Sequence, residues 1–231
     1  MPSCSNCDHQ IPNNANYCPS CGQRNISYQK PIKPVLTDMF HETLDIDGRM
    51  FLSFKTLLTK PGLLSLEYNS GKRTKYTPPL RMYLVISILF FLVLSTIEKN
   101  IISTSDVVSS NTDSYSKIMF ALLPVFALFL QMLFRHTYYL SNLIIAIHLH
   151  CITYLVFMIS LPMEAYEKHH PILLVLQLPF FIYLVSYFLI TLKKNYGKSW
   201  LETSLKFVLL LTIYISTMGL FFDAIFIELR D

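Results

Sequence analysis

Residues 80–97 read LRMYLVISILFFLVLSTI, an apolar run in which Arg81 carries the only charge. A membrane-spanning helix needs about 20 mostly apolar residues, and this run approaches that length. The run at 118–134 is the shortest of the set, and three others follow it, at 140–161, 172–192 and 205–227. The sequence therefore predicts an all-α membrane protein built as a bundle of about five transmembrane helices.

The composition of the whole chain favours the same class of protein. Of the 231 residues, 52% are hydrophobic and only 15% are charged, whereas an ordinary soluble domain carries about 25% charged residues. The charges lie mainly before Leu80 or in short gaps between the apolar runs, as in a multi-pass membrane protein. Because no signal-peptide pattern precedes the first run, we expect residues 1–79 to stay in the cytosol.

The basic residues predict the orientation of the bundle. If the N-terminus is cytosolic, all but four of the 19 Lys and Arg residues lie on the inner side. Inner loops of membrane proteins carry an excess of Lys and Arg. We therefore predict a multi-pass protein of the cytoplasmic membrane, with the N-terminus inside and the C-terminus outside. A re-entrant segment in place of one span would move the C-terminus to the inner side.

Two Cys-x2-Cys pairs near the N-terminus form the most specific motif. Cys4 and Cys7 make the first pair, and Cys18 and Cys21 make the second, while Cys151 lies alone in an apolar run. Thiols stay reduced in the cytosol, and paired cysteines at this spacing are typical zinc ligands. The polar residues between the pairs cannot form a core, so bound metal would supply most of the folding free energy of this segment.

These pairs predict a zinc-ribbon-like knuckle over residues 1–24. Four cysteines fill every position of a tetrahedral ion and leave none open for catalysis, so the zinc is predicted to be structural. A redox dithiol pair, an iron site of the rubredoxin type and a chance arrangement are the alternatives. A linker with amphipathic interfacial helices is predicted over 25–79, and the transmembrane helical bundle over 80–231.

Two short amphipathic stretches precede the first span. Apolar residues recur at helical spacing over 35–44 and again over 51–58, with a turn at 45–48 between them. Neither stretch is long enough to cross a bilayer, so we expect both helices in the headgroup zone or against the inner face of the bundle. Pro61 and Gly62 are predicted to end the second helix.

A basic loop then leads into the first span. Lys72, Arg73 and Lys75 lie in it, and each such charge near anionic lipid contributes about 1 kcal/mol. The loop is either a simple inner-side anchor or a binding site for a lipid headgroup or phosphate. Membrane lipids are therefore predicted partners. Nucleic acid is not expected, because no basic stripe is interleaved with stacking aromatics.

Several motifs together resemble a known family. They are Cys-Pro-Ser-Cys-Gly-Gln at 18–23, Phe40-His41-Glu42, Asp45-Ile46-Asp47-Gly48, Pro61-Gly62, Gly71-Lys72-Arg73, Asn142-Leu143-Ile144, His148-Leu149-His150 and Tyr196-Gly197-Lys198-Ser199-Trp200. With them, most of the chain resembles an uncharacterised bacterial family of multi-pass membrane proteins, a domain of unknown function with an N-terminal zinc ribbon. The resemblance implies the fold and no activity. At Asn142 it leads us to expect a histidine after an acidic residue, and this departure disfavours a metal site on that helix.

Polar side chains in the third predicted span are the best indication of chemistry. His148 and His150 lie there, where an imidazole without a partner is costly. Positions two apart point about 200° apart on a helix, so the two histidines cannot grip one ion together. Either they are ordinary hydrogen-bonded bundle histidines, or one of them joins acidic and imidazole groups of the inner side. The candidates for that catalytic set are His41, Glu42, Asp45, Asp47 and His136.

Two functions from different classes remain open. The first is a non-enzymatic membrane anchor, scaffold or small transport component, in which the zinc knuckle docks a cytosolic protein partner. The second is a membrane-embedded enzyme or carrier for a lipid-linked substrate, with the His, Glu and Asp groups above at the inner interface. The closed cysteine site favours the first function slightly. The sequence does not predict the oligomeric state.

Overall fold

Seven helices make up most of the described chain. The computed structural model describes residues 2–12, 15–24, 49–101, 111–135, 137–166 and 172–228, and in these residues the only strand-like features are isolated bridges. The helices are α1 (Arg49–Thr59), α2 (Leu63–Asn69), α3 (Pro79–Ile101), α4 (Asn111–Leu133), α5 (Tyr139–Tyr166), α6 (Ile172–Tyr196) and α7 (Trp200–Glu228). The predicted all-helical class is confirmed. The predicted helix over 35–44 lies outside the described residues.

Four of these helices are long and apolar enough to cross a membrane. Their apolar parts are Pro79–Ile97 in α3, Tyr139–Met163 in α5, Ile172–Tyr196 in α6 and Trp200–Phe222 in α7. The apolar part of α4, Ile118–Leu133, is shorter. This matches the expectation that the second run is the weakest of the five. A helix of about 20 residues covers the roughly 30 Å of a bilayer core.

Helix α5 lies at the centre of the bundle. In its apolar part 61% of residues are buried, against 17% in α6 and 11% in α7. It packs against α3, α4 and α6, while α7 packs against α4 and α6. The outer helices therefore expose large apolar side chains, such as Ile182 at 66% and Leu201 at 74%. Apolar surface on this scale needs lipid or another protein to cover it.

An aromatic cluster joins α3 to α5. The ring of Phe90 stacks on that of Tyr154 with centroids 4.7 Å apart, and the hydroxyls of Tyr83 and Tyr154 lie 3.3 Å apart. All three side chains are buried. The paired hydroxyls satisfy each other where no water would reach them.

One end of the bundle holds most of the basic residues of the long helices and their connections, whereas Lys99 of α3 and Lys117 of α4 lie toward the other end. Helices α3, α5 and α7 begin at this end, and α4 and α6 end there. The rings of Phe134, after α4, and Tyr196, at the end of α6, stack here with centroids 3.7 Å apart. We call this end of the bundle the basic end. It holds Arg81, Arg135, Lys193, Lys194, Lys198 and Lys206.

The short helices α1 and α2 dock at the basic end. The chain turns between them at Gly62, whose φ of +70° favours glycine. A Cβ atom there would lie 2.9 Å from Cα of Thr191 on α6. Asn195 Nδ2 donates to the carbonyl oxygen of Gly62 at 3.2 Å, and the Tyr183 hydroxyl donates to that of Leu58 at 2.7 Å. The predicted helix over 51–58 is present as α1, and it lies against the bundle, whereas α2 was not predicted.

Candidate metal centre

The four N-terminal cysteines converge as the spacing predicts. The Sγ atoms of Cys4, Cys7, Cys18 and Cys21 all lie within 4.8 Å of one another. Cys4 and Cys21 are 3.6 Å apart, as are Cys7 and Cys18. A tetrahedral zinc with Zn–S bonds of about 2.3 Å has S···S edges of about 3.8 Å. The thiols therefore fit a tetrahedral metal ion with no position left for a water or substrate.

The two Cys-x2-Cys units are structural repeats of each other. A shift of 14 positions maps each backbone feature of the first unit onto the second. The N–H of Cys4 donates to His9, and that of Cys18 donates to Gln23, both at 2.8 Å. Isolated bridges join Ser3 to Gln10 and, in the second unit, Tyr17 to Arg24. Each unit thus supplies two ligands from the same small turn.

The residue after each second cysteine has a left-handed backbone. Asp8 has a φ of 60° and Gly22 a φ of +69°. The N–H groups of Asp8 and Gly22 close the turns by donating to the carbonyl oxygens of Cys4 and Cys18, at 2.9 Å each. Asp tolerates this conformation better than most residues. Asp8 can therefore take the same place in the first unit that Gly22 takes in the second.

The thiols differ in acidity. Burial raises the pKa of Cys21, but the backbone N–H of Gln23 and the side chains of Cys7 and Asn6 outweigh it and lower that pKa to about 6. The N–H of His9 lowers the pKa of Cys7, whereas desolvation and the neighbouring thiols raise it to about 12. The thiolate is the form of cysteine that binds metal.

The side chain of Gln23 attaches the knuckle to the helical domain. Its Nε2 donates to Gly71 O at 2.7 Å and to Ser5 Oγ at 2.8 Å. Its Oε1 accepts from the backbone N–H of Arg73 at 3.1 Å and of Thr74 at 3.4 Å. Gln23 is only 8% exposed. The side-chain amide of Gln23 therefore provides hydrogen-bond partners for the backbone of residues 71–74 and fixes the metal centre beside α2 and α3.

The contact between knuckle and loop is close. Gly71 has a φ of +98°, and a Cβ atom there would lie 2.8 Å from Oγ of Ser5. Ser5 Oγ also donates to the carbonyl oxygen of Gly71 at 3.2 Å. The glycine is required both for its backbone conformation and for this approach.

Glu67 on α2 organises the predicted lipid-binding loop. Its carboxylate accepts from Lys72 at 3.4 Å, from Lys75 at 3.1 Å and from the Tyr76 hydroxyl. The guanidinium of Arg73 lies over the ring of Tyr68, 5.2 Å from its centroid. The lysines keep side-chain exposures of 42% and 44%. The three basic residues are thus held together on one loop, with one acidic partner that the sequence did not single out.

His148 and His150 lie on α5 and face different surroundings, as the helical angle predicts. His150 is engaged: one ring nitrogen lies 2.9 Å from Ala146 O and the other 2.9 Å from the Tyr214 hydroxyl of α7. His148 is 2% exposed, and neither of its ring nitrogens makes a hydrogen bond of normal geometry among the described residues. The structure does not bring the two imidazoles to one site.

Asn142 is a fully buried hydrogen-bonding centre. Its Nδ2 donates to Gln131 Oε1 at 2.6 Å, and its Oδ1 accepts from Tyr196 at 2.7 Å and Thr137 at 3.0 Å. It thereby ties α4, α5 and α6 together at the basic end. A residue with these three partners is structural.

The remaining catalytic candidates lie outside the described residues. They are His41, Glu42, Asp45, Asp47 and His136. Sequence reasoning missed Gln23, Glu67 and the partners of Asn142. For Gln23 the only signal in the sequence was its position two residues after Cys21, the last cysteine of the N-terminal cluster.

The fold and the cysteine cluster together define a helical membrane protein with a candidate metal centre. The family described as "Protein of unknown function (DUF3667)" matches residues 47–91, which comprise α1, α2, the basic loop and the first part of α3. This part of the chain is therefore similar to a domain without an assigned activity. No curated protein and no solved structure matches the chain.

Proposed function

We propose that the protein is a membrane scaffold whose zinc knuckle presents a docking surface for a cytosolic protein partner. The attachment of the knuckle through Gln23 carries this proposal. A flexible tether would need no such contact, but three hydrogen bonds between the nearly buried side-chain amide of Gln23 and the backbone of residues 71–74 hold the knuckle at a fixed place beside the first long helix. A fixed display reduces the entropy that a partner must lose on binding.

Exposed residues of the knuckle supply the docking surface. Tyr17 is 59% exposed, and Pro12, Pro19 and Ser20 are exposed as well. Exposed tyrosines are common anchors of protein interfaces. The zinc keeps this surface in shape, because the knuckle has too small an apolar cluster to fold without metal.

The membrane part of the proposal comprises five spans, α3 to α7. The N-terminus and the basic end then face the cytosol, and the C-terminus lies outside. The knuckle (1–24), the interfacial region (25–79) and the bundle (80–231) form the three parts of the chain. In this orientation Lys72, Arg73 and Lys75 lie at the inner lipid surface, where Glu67 offsets one of their three charges.

Crosslinking in cells tests the docking surface. We expect Cys4→Ser and Tyr17→Ala to abolish capture of a defined cytosolic protein, because one removes the metal and the other removes the anchor. His148→Ala is the matched control, since it changes a buried residue of α5 and should leave capture intact. Equal capture by all four proteins, the wild type included, would reject the proposal.

Labelling of cysteines that are added one at a time to the native protein tests the orientation. With the native cysteines left in place and a membrane-impermeant maleimide applied to whole spheroplasts, a cysteine added after residue 231 should react. A cysteine at Ser199, in the loop between α6 and α7, should react only after lysis. The reverse pattern would overturn the proposed topology.

The second function, an enzyme or carrier for a lipid-linked substrate, is favoured by one observation. His148 is buried, and neither ring nitrogen makes a hydrogen bond of normal geometry among the described residues, although the ring interacts with the backbone of Ile144. Buried polar groups usually have full partners, and an ionisable residue inside a membrane is a candidate functional group. Native mass spectrometry of the detergent-purified protein tests it. A second tightly held metal or a bound lipid that disappears in His148→Ala supports this function, and identical spectra contradict it.

A further inference from the structure

A cavity of about 340 Å³ opens at the basic end between α4, α6 and α7. It is separate from the metal centre and from the loop of Lys72 to Lys75. The end of α4 supplies Met132 and Phe134, α6 supplies Tyr196, and α7 supplies Glu202 and Lys206. Its volume lies at the lower end of the range for small-molecule sites, which is about 300–1,000 Å³.

The walls of the cavity carry an excess of positive charge. Arg135, Lys198 and Lys206 line it together with one acidic residue, Glu202. Glu202 Oε1 lies 2.8 Å from Lys206 Nζ and 3.8 Å from Lys198 Nζ. One carboxylate cannot neutralise three cations. The lining therefore carries a net positive charge of about two and attracts an anion.

The cations are held in place by contacts around them. Lys206 Nζ lies over the ring of Phe134, 4.7 Å from its centroid, and Phe134 stacks on Tyr196 with nearly parallel planes. The hydroxyl of Tyr196 is fixed in turn by Asn142 at 2.7 Å. A charge that is already positioned loses little side-chain entropy when a ligand arrives.

The side of the cavity toward the bundle surface is apolar. Met132 is 67% exposed, and on the neighbouring face of α7 Leu201 and Leu205 are 74% and 65% exposed. Basic pockets between membrane helices, with apolar surface directly beside them, are the usual sites of anionic lipid headgroups. An acyl chain can lie on the apolar side while its phosphate enters the basic side.

We propose that this cavity binds a phosphate group, carried either by an anionic phospholipid or by free inorganic phosphate. Arg135, Lys198 and Lys206 contact the phosphate oxygens, and the Phe134–Tyr196 stack forms the floor. The site is independent of the zinc knuckle, so its test does not depend on the docking proposal.

The test uses the full-length protein in mild detergent, titrated with a fluorescent short-chain phosphatidylglycerol. We expect the wild type to bind this lipid and to show no binding of the phosphatidylcholine with the same acyl chains and label. Lys198→Gln/Lys206→Gln should weaken binding at least tenfold, because two charges near an anion are removed. The matched control is Lys55→Gln/Lys60→Gln, which removes one exposed lysine of α1 and one directly after it and should change binding less than twofold.

Competition separates the two sources of phosphate. If millimolar inorganic phosphate displaces the lipid, the site takes free phosphate; if it does not, the site takes the lipid headgroup. Either result supports the phosphate site. Equal loss in the cavity variant and the control, or equal binding of the two lipids, overturns it. Arg135→Gln, at an exposed position, repeats the test if the double variant does not fold.

Discussion

Gln23 Nε2 donates a hydrogen bond to the carbonyl oxygen of Gly71 at 2.7 Å, across 48 residues of chain. This bond and its neighbours link the metal centre to the segment that enters the bundle. The cysteines hold the knuckle together, and Gln23 decides where the knuckle lies.

Gln23→Ala should detach the knuckle without emptying it. The substitution leaves backbone groups of residues 71–74 without their partner, at a cost of about 1–3 kcal/mol. We expect faster amide hydrogen exchange at 71–74, measured by mass spectrometry, with an unchanged zinc content. Gln10→Ala, an exposed glutamine of the first unit, is the control. Zinc loss in Gln23→Ala would contradict the separation of the two roles.

Cys4→Ser should remove the metal and leave the helices folded. Three thiolates hold zinc more weakly than four, so we expect a fall from one zinc per chain to well below one after dialysis against a chelator, measured by plasma mass spectrometry. The helical circular dichroism should not change, because the bundle has its own core. Cys151→Ala alters a cysteine far from the cluster, and a similar zinc loss in that variant would refute the assignment.

Gly62→Ala should strongly destabilise the domain. The new Cβ atom meets Thr191 and requires an unfavourable φ, and together these cost roughly 2–5 kcal/mol. Gly197→Ala is a close control, since its φ is +65° but a Cβ atom has nothing within 4 Å; it should cost about 1–2 kcal/mol. Thermal unfolding in detergent compares the two. Equal midpoints would show that α1 and α2 do not pack on α6.

Glu67 should make stability depend on pH. Burial raises the pKa of Glu67, but hydrogen bonds from Tyr76, Lys75 and Lys72 outweigh it, so the folded-state value lies below the ordinary 4.5. The stabilisation is therefore complete above that ordinary value and is lost as the pH falls through the lower, folded-state value. The wild-type thermal midpoint should drop more than that of Glu67→Gln between pH 5 and 3, roughly the range in which Glu titrates. Zinc release affects both proteins alike, and parallel curves would exclude a role for Glu67.

Asn142→Leu should loosen the basic end. It leaves Gln131, Thr137 and Tyr196 without their partner, and hydrogen bonds in membrane proteins contribute about 0.6 kcal/mol each on average. We expect a loss of about 2 kcal/mol, measured by unfolding in detergent. In a double-mutant cycle the effect of Tyr196→Phe should shrink when Asn142 is already replaced. Purely additive effects would mean that the two side chains do not interact.

Hydropathy placed most ends of the long helices to within a few residues, but it placed the starts of α4 and α7 too late. Helix α4 begins at Asn111, seven positions before the predicted run at 118–134. The run at 205–227 begins five positions after Trp200, where the helix begins. Ser199 Oγ accepts from the N–H of Glu202 at 3.2 Å and caps the first turn, and Lys206 of the next turn forms an ion pair with Glu202. A hydropathy scale assigns charged residues to the loops between spans, whereas here the cap and the ion pair stabilise a helix.

The clustering of the four cysteines could be predicted because their spacing is a local property. The attachment of the knuckle and the cavity could not, since both depend on residues distant in sequence. Gln23 reaches residues 71–74, and the cavity brings Phe134 to Tyr196 and Lys206. In the same way α2, only seven residues long, owes its helix to packing rather than to its own pattern.

The central position of α5 sets an order for assembly in the membrane. Helices α3 and α4 precede it in the chain and pack directly on it, whereas α6 and α7 follow and stay on the periphery. During synthesis a three-helix nucleus can form once α5 has entered the membrane, before α6 and α7 have been inserted. Helices α6 and α7 then pack against the three helices that have already associated.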